Sequence, residues 1–163
     1  MRFPRFPADR PLGFVFVPLL AALLLGACAE QFEEGDVSMK VDGSTYAPSV
    51  HGDVEELESP EGPWRYVWVE GDDDAFHLGI PLSLGEGRHE LGFERSTTHA
   101  WLWVGAGQAQ HHSAWGEGEL VITSQSKTRL RGTFSGTLRN HDQSESIVVT
   151  DGKFDLKGSF INP

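Results

Sequence analysis

The chain is 163 residues long, with 39% hydrophobic and 23% charged residues, which suits one packed domain and excludes wholesale disorder. Thirteen basic residues face 24 acidic ones, a formal net charge of -11, and so negative a surface repels nucleic acid and anionic headgroups alike. One cysteine, Cys28, excludes an intramolecular disulfide.

The first 28 residues read in three parts. Arg2, Arg5 and Arg10 make a positive start, and PLGFVFVPLLAALLL follows from Pro11 to Leu25. That apolar run falls short of the roughly 20 residues a spanning helix needs, and Pro18 interrupts it. It reads as the core of a signal peptide, residues 1–27. Leu25-Gly26-Ala27-Cys28 then resembles the lipobox of bacterial lipoproteins. The resemblance implies cleavage after Ala27 and a diacylglyceryl group on the Cys28 thiol, with palmitate-type acylation of the freed amine. Two or more acyl chains anchor a protein stably without any basic surface. Ala29 stands where an Asp would resemble an inner-membrane retention signal, so the outer membrane is the expected destination. Removing residues 1–27 leaves ten basic and 23 acidic residues, a net of -13.

Residues 29–36, AEQFEEGD, are acidic and aperiodic and read as part of a lipidated tether, 28–36. Residues 37–163 are expected to form a single domain. No amphipathic helix is legible there: Gly and Pro recur, and apolar residues alternate with polar ones. SMKV-DG-STYA predicts a hairpin turning at Asp42-Gly43, with Met39 opposite Tyr46. Glu55-Glu56-Leu57-Glu58 has the composition of a loop. WRYVWVE and AFHLGIPL predict a second hairpin. Pairing Glu70 with Ala75 sets Val69 against Phe76 and Val67 against Leu78, and puts Trp64, Tyr66, Trp68 and His77 on the other face. Two apolar faces imply a central strand covered on both sides, or a face that binds something.

Further strands are expected at 88–94, 100–104, 118–124 and 128–138. In the last, Leu130, Phe134 and Leu138 alternate with Arg131, Thr133, Ser135 and Thr137. SIVVT-DG-KFDLK predicts a closing hairpin at Asp151-Gly152, with Val149 opposite Phe154 and Ile147 opposite Leu156. The fold class is therefore all-β: a mostly antiparallel sandwich or flattened barrel of about eight to ten short strands. Gly118 to Thr123, Gly132 to Ser135 and Thr150 to Phe154 together resemble the C-terminal part of a group of bacterial lipoproteins with uncharacterised all-β domains. These are turn and core residues, so the resemblance implies fold and carries no catalytic residues.

Seven histidines (51, 77, 89, 99, 111, 112 and 141) show no metal-ligand spacing, and no HExxH occurs. His111 and His112 are adjacent and point to opposite faces of a strand. Asp72, Asp73 and Asp74 could offer calcium their oxygens, or simply solvate a hairpin tip. No G-x-S-x-G elbow exists. The candidate binding face is aromatic: Trp64, Tyr66 and Trp68 on one strand, Trp101 and Trp103 on another, a core cover or a platform for sugar, lipid or protein. The expectation is a non-enzymatic, lipid-anchored envelope protein that binds a partner or plays a structural role, with no cofactor, metal or nucleic acid. The rivals are an envelope hydrolase with a loop-built site and a small carrier of apolar ligands.

Overall fold

In the computed structural model, residues 30–31, 34–58, 64–72, 75–93, 96, 98–106, 109–158 and 160 are described. The expected signal peptide, its cleavage point after Ala27 and the expected lipidation site Cys28 lie outside them. The described residues contain eleven strands and no α-helix. In chain order these are β1 (Glu30–Gln31), β2 (Glu34–Val41), β3 (Ser44–Tyr46), β4 (Val50–Leu57), β5 (Trp64–Gly71) and β6 (Phe76–Pro81). A single 3-10 turn, Leu82–Leu84, leads to β7 (Gly87–Glu90), β8 (Trp101–Ala106), β9 (Ala109–Gln125), β10 (Arg129–Arg139) and β11 (Ser146–Lys157).

All eleven strands belong to one antiparallel sheet, ordered β1-β4-β5-β6-β8-β9-β10-β11-β2-β3, with β7 added beside β9. The sheet curls into a half-barrel, and its ends touch where Asp36 bridges Ser49. A single curled sheet is the barrel-like member of the two expected layouts. Its concave side holds the core, with Val67 and Val69 of β5, Leu78 and Ile80 of β6, Leu102 and Val104 of β8, and Leu130, Phe134 and Leu138 of β10 all buried. Polar residues are buried here too: Ser113, 1% exposed, is hydrogen-bonded to Leu102 and Gly92, whereas His111, paired with Val104, is 2% exposed and neither ring nitrogen has a hydrogen-bond partner among the described residues.

Several local expectations shift. The sheet starts before Val37, because Asp36, Gly35 and Glu34 already pair with Asp155, Leu156 and Lys157. The acidic 55–58 stretch is mostly strand: β4 runs to Leu57 against β5, with Glu55 opposite Tyr66. Composition misled here because the carboxylates are accommodated on the strand itself, Glu56 in solvent and Glu55 accepting from Tyr66. The β5–β6 pairing is two residues further on than expected, with Glu70 opposite His77 and Val69 opposite Leu78. An even slip preserves the faces, so the sorting of residues survives the wrong register.

Asp42-Gly43 turns as expected, with Met39 opposite Tyr46 and φ of 49° and 81° at the two turn residues. Asp42 also clasps β11: its Oδ1 accepts from the Val148 amide at 2.8 Å, and its own amide donates to the Val148 carbonyl at 2.9 Å. Asp151-Gly152 does not turn. It is a β-bulge within one twelve-residue strand. Phe134 pairs with Gly152 and Gly136 with Val149, so Ser135 alone faces Thr150 and Asp151. Asp151 takes φ 53°, and the extra residue shifts the inward parity from odd to even. Ile147 and Val149 before it, and Phe154 and Leu156 after it, are thereby all buried. A hairpin would sort the same side chains, which is why the pattern suggested one.

The two Asp-Gly pairs should respond differently to substitution. A Cβ at Gly43 meets nothing within 4 Å, so Gly43→Ala adds only the strain of its φ, about 1 kcal/mol. A Cβ at Gly152 would overlap both the carbonyl oxygen and the ring of Phe134. Gly152→Ala should cost at least twice as much, roughly 2 kcal/mol or more, by denaturant titration.

Candidate functional site

The two expected aromatic groups form one surface. Trp64, Tyr66 and Trp68 alternate with the core residues of β5 and so face outward. On β8, Trp101 and Trp103 alternate with buried Leu102 and Val104. Between the two strands runs β6, and its residue at the decisive position is Gly79, paired with Trp68 on one side and Trp101 on the other. A Cβ on Gly79 would fall inside the Trp101 ring. The indole therefore lies across the bare backbone and reaches its neighbours, with centroids 5.1 Å from Tyr66 and 6.0 Å from Trp68. Glycine costs a strand roughly 0.5–1 kcal/mol. Burying an indole of some 200 Å² returns several times that, at about 25 cal/mol/Å². Packing decides, and Trp101 is 0% exposed.

The neighbouring row extends the stripe. Glu70, His77, Trp103 and His112 are successive cross-strand partners. The His77 ring sits edge-on between Trp68 and Trp103, at 4.9 and 4.5 Å. Trp115 stands 5.5 Å from His112 and 5.1 Å from His141. Nδ1 of His112 accepts from the Ala114 amide at 2.8 Å, which puts the neutral ring's proton on Nε2. Tyr66 and Trp101 form a buried layer, whereas Trp64, Trp68 and Trp103 remain partly exposed above and beside them. Sequence alone placed His77 on this face but missed His112 and Trp115 as parts of the same stripe, since only the register aligns them. Gly79, flanked by apolar residues in a strand, was the legible signal for a close ring.

Carboxylates rim the stripe. Tyr66 donates its hydroxyl to Glu55, and Asp53 pairs with Trp68. His51 lies between Glu70, at 3.8 Å, and Asp72, at 3.1 Å, while His77 approaches Glu70 at 3.8 Å. Of the aspartates suggested for calcium, Asp72 thus faces His51, and Asp73 and Asp74 lie outside the described residues. Among the described residues no three His, Cys, Asp or Glu side chains are grouped to hold a metal. Asp53 Oδ1 and Trp101 Nε1 are buried and make no hydrogen bond there.

The cations gather elsewhere. Arg129 donates to both oxygens of Asp155, at 2.8 and 2.7 Å, and Arg131 adds a third contact at 3.1 Å. These bonds hold the Asp155 carboxyl down from 3.8 to about 2. Lys40 pairs with Asp151 at 2.8 Å. Beside them, a shallow groove of about 790 Å³ is lined by Arg88, Glu90, Glu117, Glu119, Ser135 and Thr137, among others. Arg88 is tied to Glu119 there, and Ser135 and His89 sit on opposite faces of the sheet, because they pair with Glu119 and Leu120 respectively. Ser96 lies 3.2 Å from His99, but its Oγ accepts the Thr98 and His99 amides and so caps a turn. Glu90, 4.0 Å from the same imidazole, is 88% exposed. Neither arrangement combines a free nucleophile with a held base.

Compared with known proteins, the chain matches no family model, no curated protein and no solved structure.

Two measurements probe these arrangements. Gly79→Ala should expel the Trp101 indole, moving tryptophan emission to longer wavelength and lowering Tm by several degrees. Asp155, whose folded-state pKa is depressed, contributes stability that is present above 3.8 and lost as pH falls through about 2. Asp155→Asn should therefore be less stable than the parent at neutral pH, and the gap in denaturation midpoint should close as pH falls from about 4 to about 2.

Proposed function

We propose that the protein is an exported lipoprotein, fixed to the cell envelope by acyl chains on Cys28, whose β-domain serves a non-enzymatic binding role. The anchor reading rests on the sequence: a positive start, an apolar run too short to span, and the sole cysteine after Leu25-Gly26-Ala27. No helix of the described residues is long and apolar enough to cross a membrane. A net charge of -13 after processing offers anionic headgroups no attraction, so acyl chains are the means of attachment consistent with this surface.

The observation that carries the binding role is the outward placement of the aromatic stripe. Five large aromatic side chains on two strands would fill a core if they faced inward. Here the concave side is filled by aliphatic and phenylalanine residues, and three tryptophans retain exposed surface on the other face. Surface patches of this kind, aromatic at the centre and polar at the rim, are characteristic of interaction sites. Among the described residues, the hollow by Val41, Tyr46 and Val104 measures about 240 Å³, small for the ligand of a carrier. The hydrolase reading lacks a nucleophile poised against a base among the described residues.

Cys28→Ala should accumulate as uncleaved precursor and lose incorporation of labelled palmitate, read by gel mobility and fluorography. Normal cleavage of that variant into soluble protein would overturn the anchor.

A further inference from the structure

We propose that the outer face of β4, β5, β6 and β8 is a docking surface for a polypeptide segment rich in arginine and lysine. The inference rests on the binding role proposed above and names the chemistry of the partner.

Charge is the first reason. On this face the outward positions of the four strands carry His51, Asp53, Glu55 and Leu57 on β4, then the aromatic residues and Glu70 on β5, His77 on β6, and two tryptophans on β8. None of these positions holds a lysine or arginine. Over residues 51–74 the sequence places nine carboxylates against one basic residue, Arg65. Arg65 falls on the opposite parity of β5 from the tryptophans and pairs with Glu56. The basic residues of the domain are concentrated on β2, β10 and β11, where Asp151 and Asp155 already engage three of them. At its described outward positions the aromatic face thus carries carboxylates and no lysine or arginine, and a negative field of this kind raises the encounter rate of cations.

The second reason is the pairing of rings with carboxylates. A guanidinium is flat: it stacks on an indole face and directs its N–H fork at a carboxylate in the same plane. Trp68 lies directly opposite Asp53, and Trp64 is two residues along the same strand from Tyr66, which holds Glu55. A neutral glycan would stack on the same rings but would leave this charge unused.

The third reason is size. Trp64 to Trp68 spans about 13 Å along β5, and β5 to β8 about 10 Å across the strands. That area exceeds a single ammonium or guanidinium and suits several side chains of one extended segment.

The test is titration of the full chain, purified in detergent, with an octa-arginine peptide, followed by tryptophan fluorescence. Saturable quenching is expected, weakening as ionic strength rises. Trp68→Ala/Trp103→Ala removes no charge and should weaken binding roughly tenfold. Glu70→Gln/Asp72→Asn, which alters partly exposed carboxylates only, should weaken it by a similar factor and decides the matter if the tryptophan variant fails to fold. Glu117→Gln/Glu119→Gln, on the separate β9 groove, should bind as the parent does. The proposal is overturned by absence of saturable quenching, by unchanged affinity in the folded tryptophan or Glu70/Asp72 variants, or by equal loss in the Glu117/Glu119 control. Tighter binding of a neutral glucan oligosaccharide than of the peptide would also overturn it, while leaving a binding role intact. Palmitate labelling at Cys28 is read independently and is unaffected by any of these results.

Discussion

At Gly79 the sheet gives up a side chain so that a ring can lie flat on its backbone, and the architecture of the outer face follows from that contact. With any larger residue there, Trp101 would have to leave the place it takes over β6, because a methyl group and the indole would claim the same space. Tyr66 and Trp68 would then lose the neighbour that joins β5 to β8 across β6. The sheet would keep its concave core but present two separate aromatic strands on the convex side. One glycine converts them into a continuous layer, fully buried beneath and partly exposed above. Such an arrangement is stable in water because the buried layer supplies the free energy that holds the exposed rings in position.

Charge is arranged around that layer with similar economy. Carboxylates border the aromatic stripe on β4 and β5, while the arginines of β10 pair with Asp155 on the far side of the curl. Ion pairs at the surface contribute little stability each, yet their position determines where the field of the molecule is neutralised and where it is not. The paired side is locally balanced. The aromatic side has carboxylates and no lysine or arginine at its described outward positions, and this asymmetry underlies the partner proposed for it.

Legibility in the sequence varied with the physical rule involved. Alternation on β10 was readable because each residue follows its neighbours in a period of two, independent of any partner strand. Asp42-Gly43 was readable because a turn is local. Asp151-Gly152 was not: the same dipeptide serves as a turn or a bulge, and the deciding factor is whether β2 and β10 flank it as a continuous pair of neighbours. The β5–β6 register was likewise missed by two residues, yet Trp64, Tyr66, Trp68 and His77 were sorted to the correct face, since parity survives an even slip. Glu55 and Glu56 resembled a loop because composition does not tell an exposed or hydrogen-bonded carboxylate on a strand from one in a loop.

By itself, then, the amino-acid order determined the all-β class and the inward and outward faces of the main strands, because each depends on a few residues acting in succession along the chain; the proposal of an acylated Cys28 rests on the sequence alone. Tertiary structure decided that Trp101 meets Tyr66 and Trp68, that His77 lies between Trp68 and Trp103, and that Asp-Gly bends a strand in one place and reverses it in another. Those outcomes depend on which strands become neighbours, and pairing between distant segments is a property of the whole sheet that no local pattern encodes.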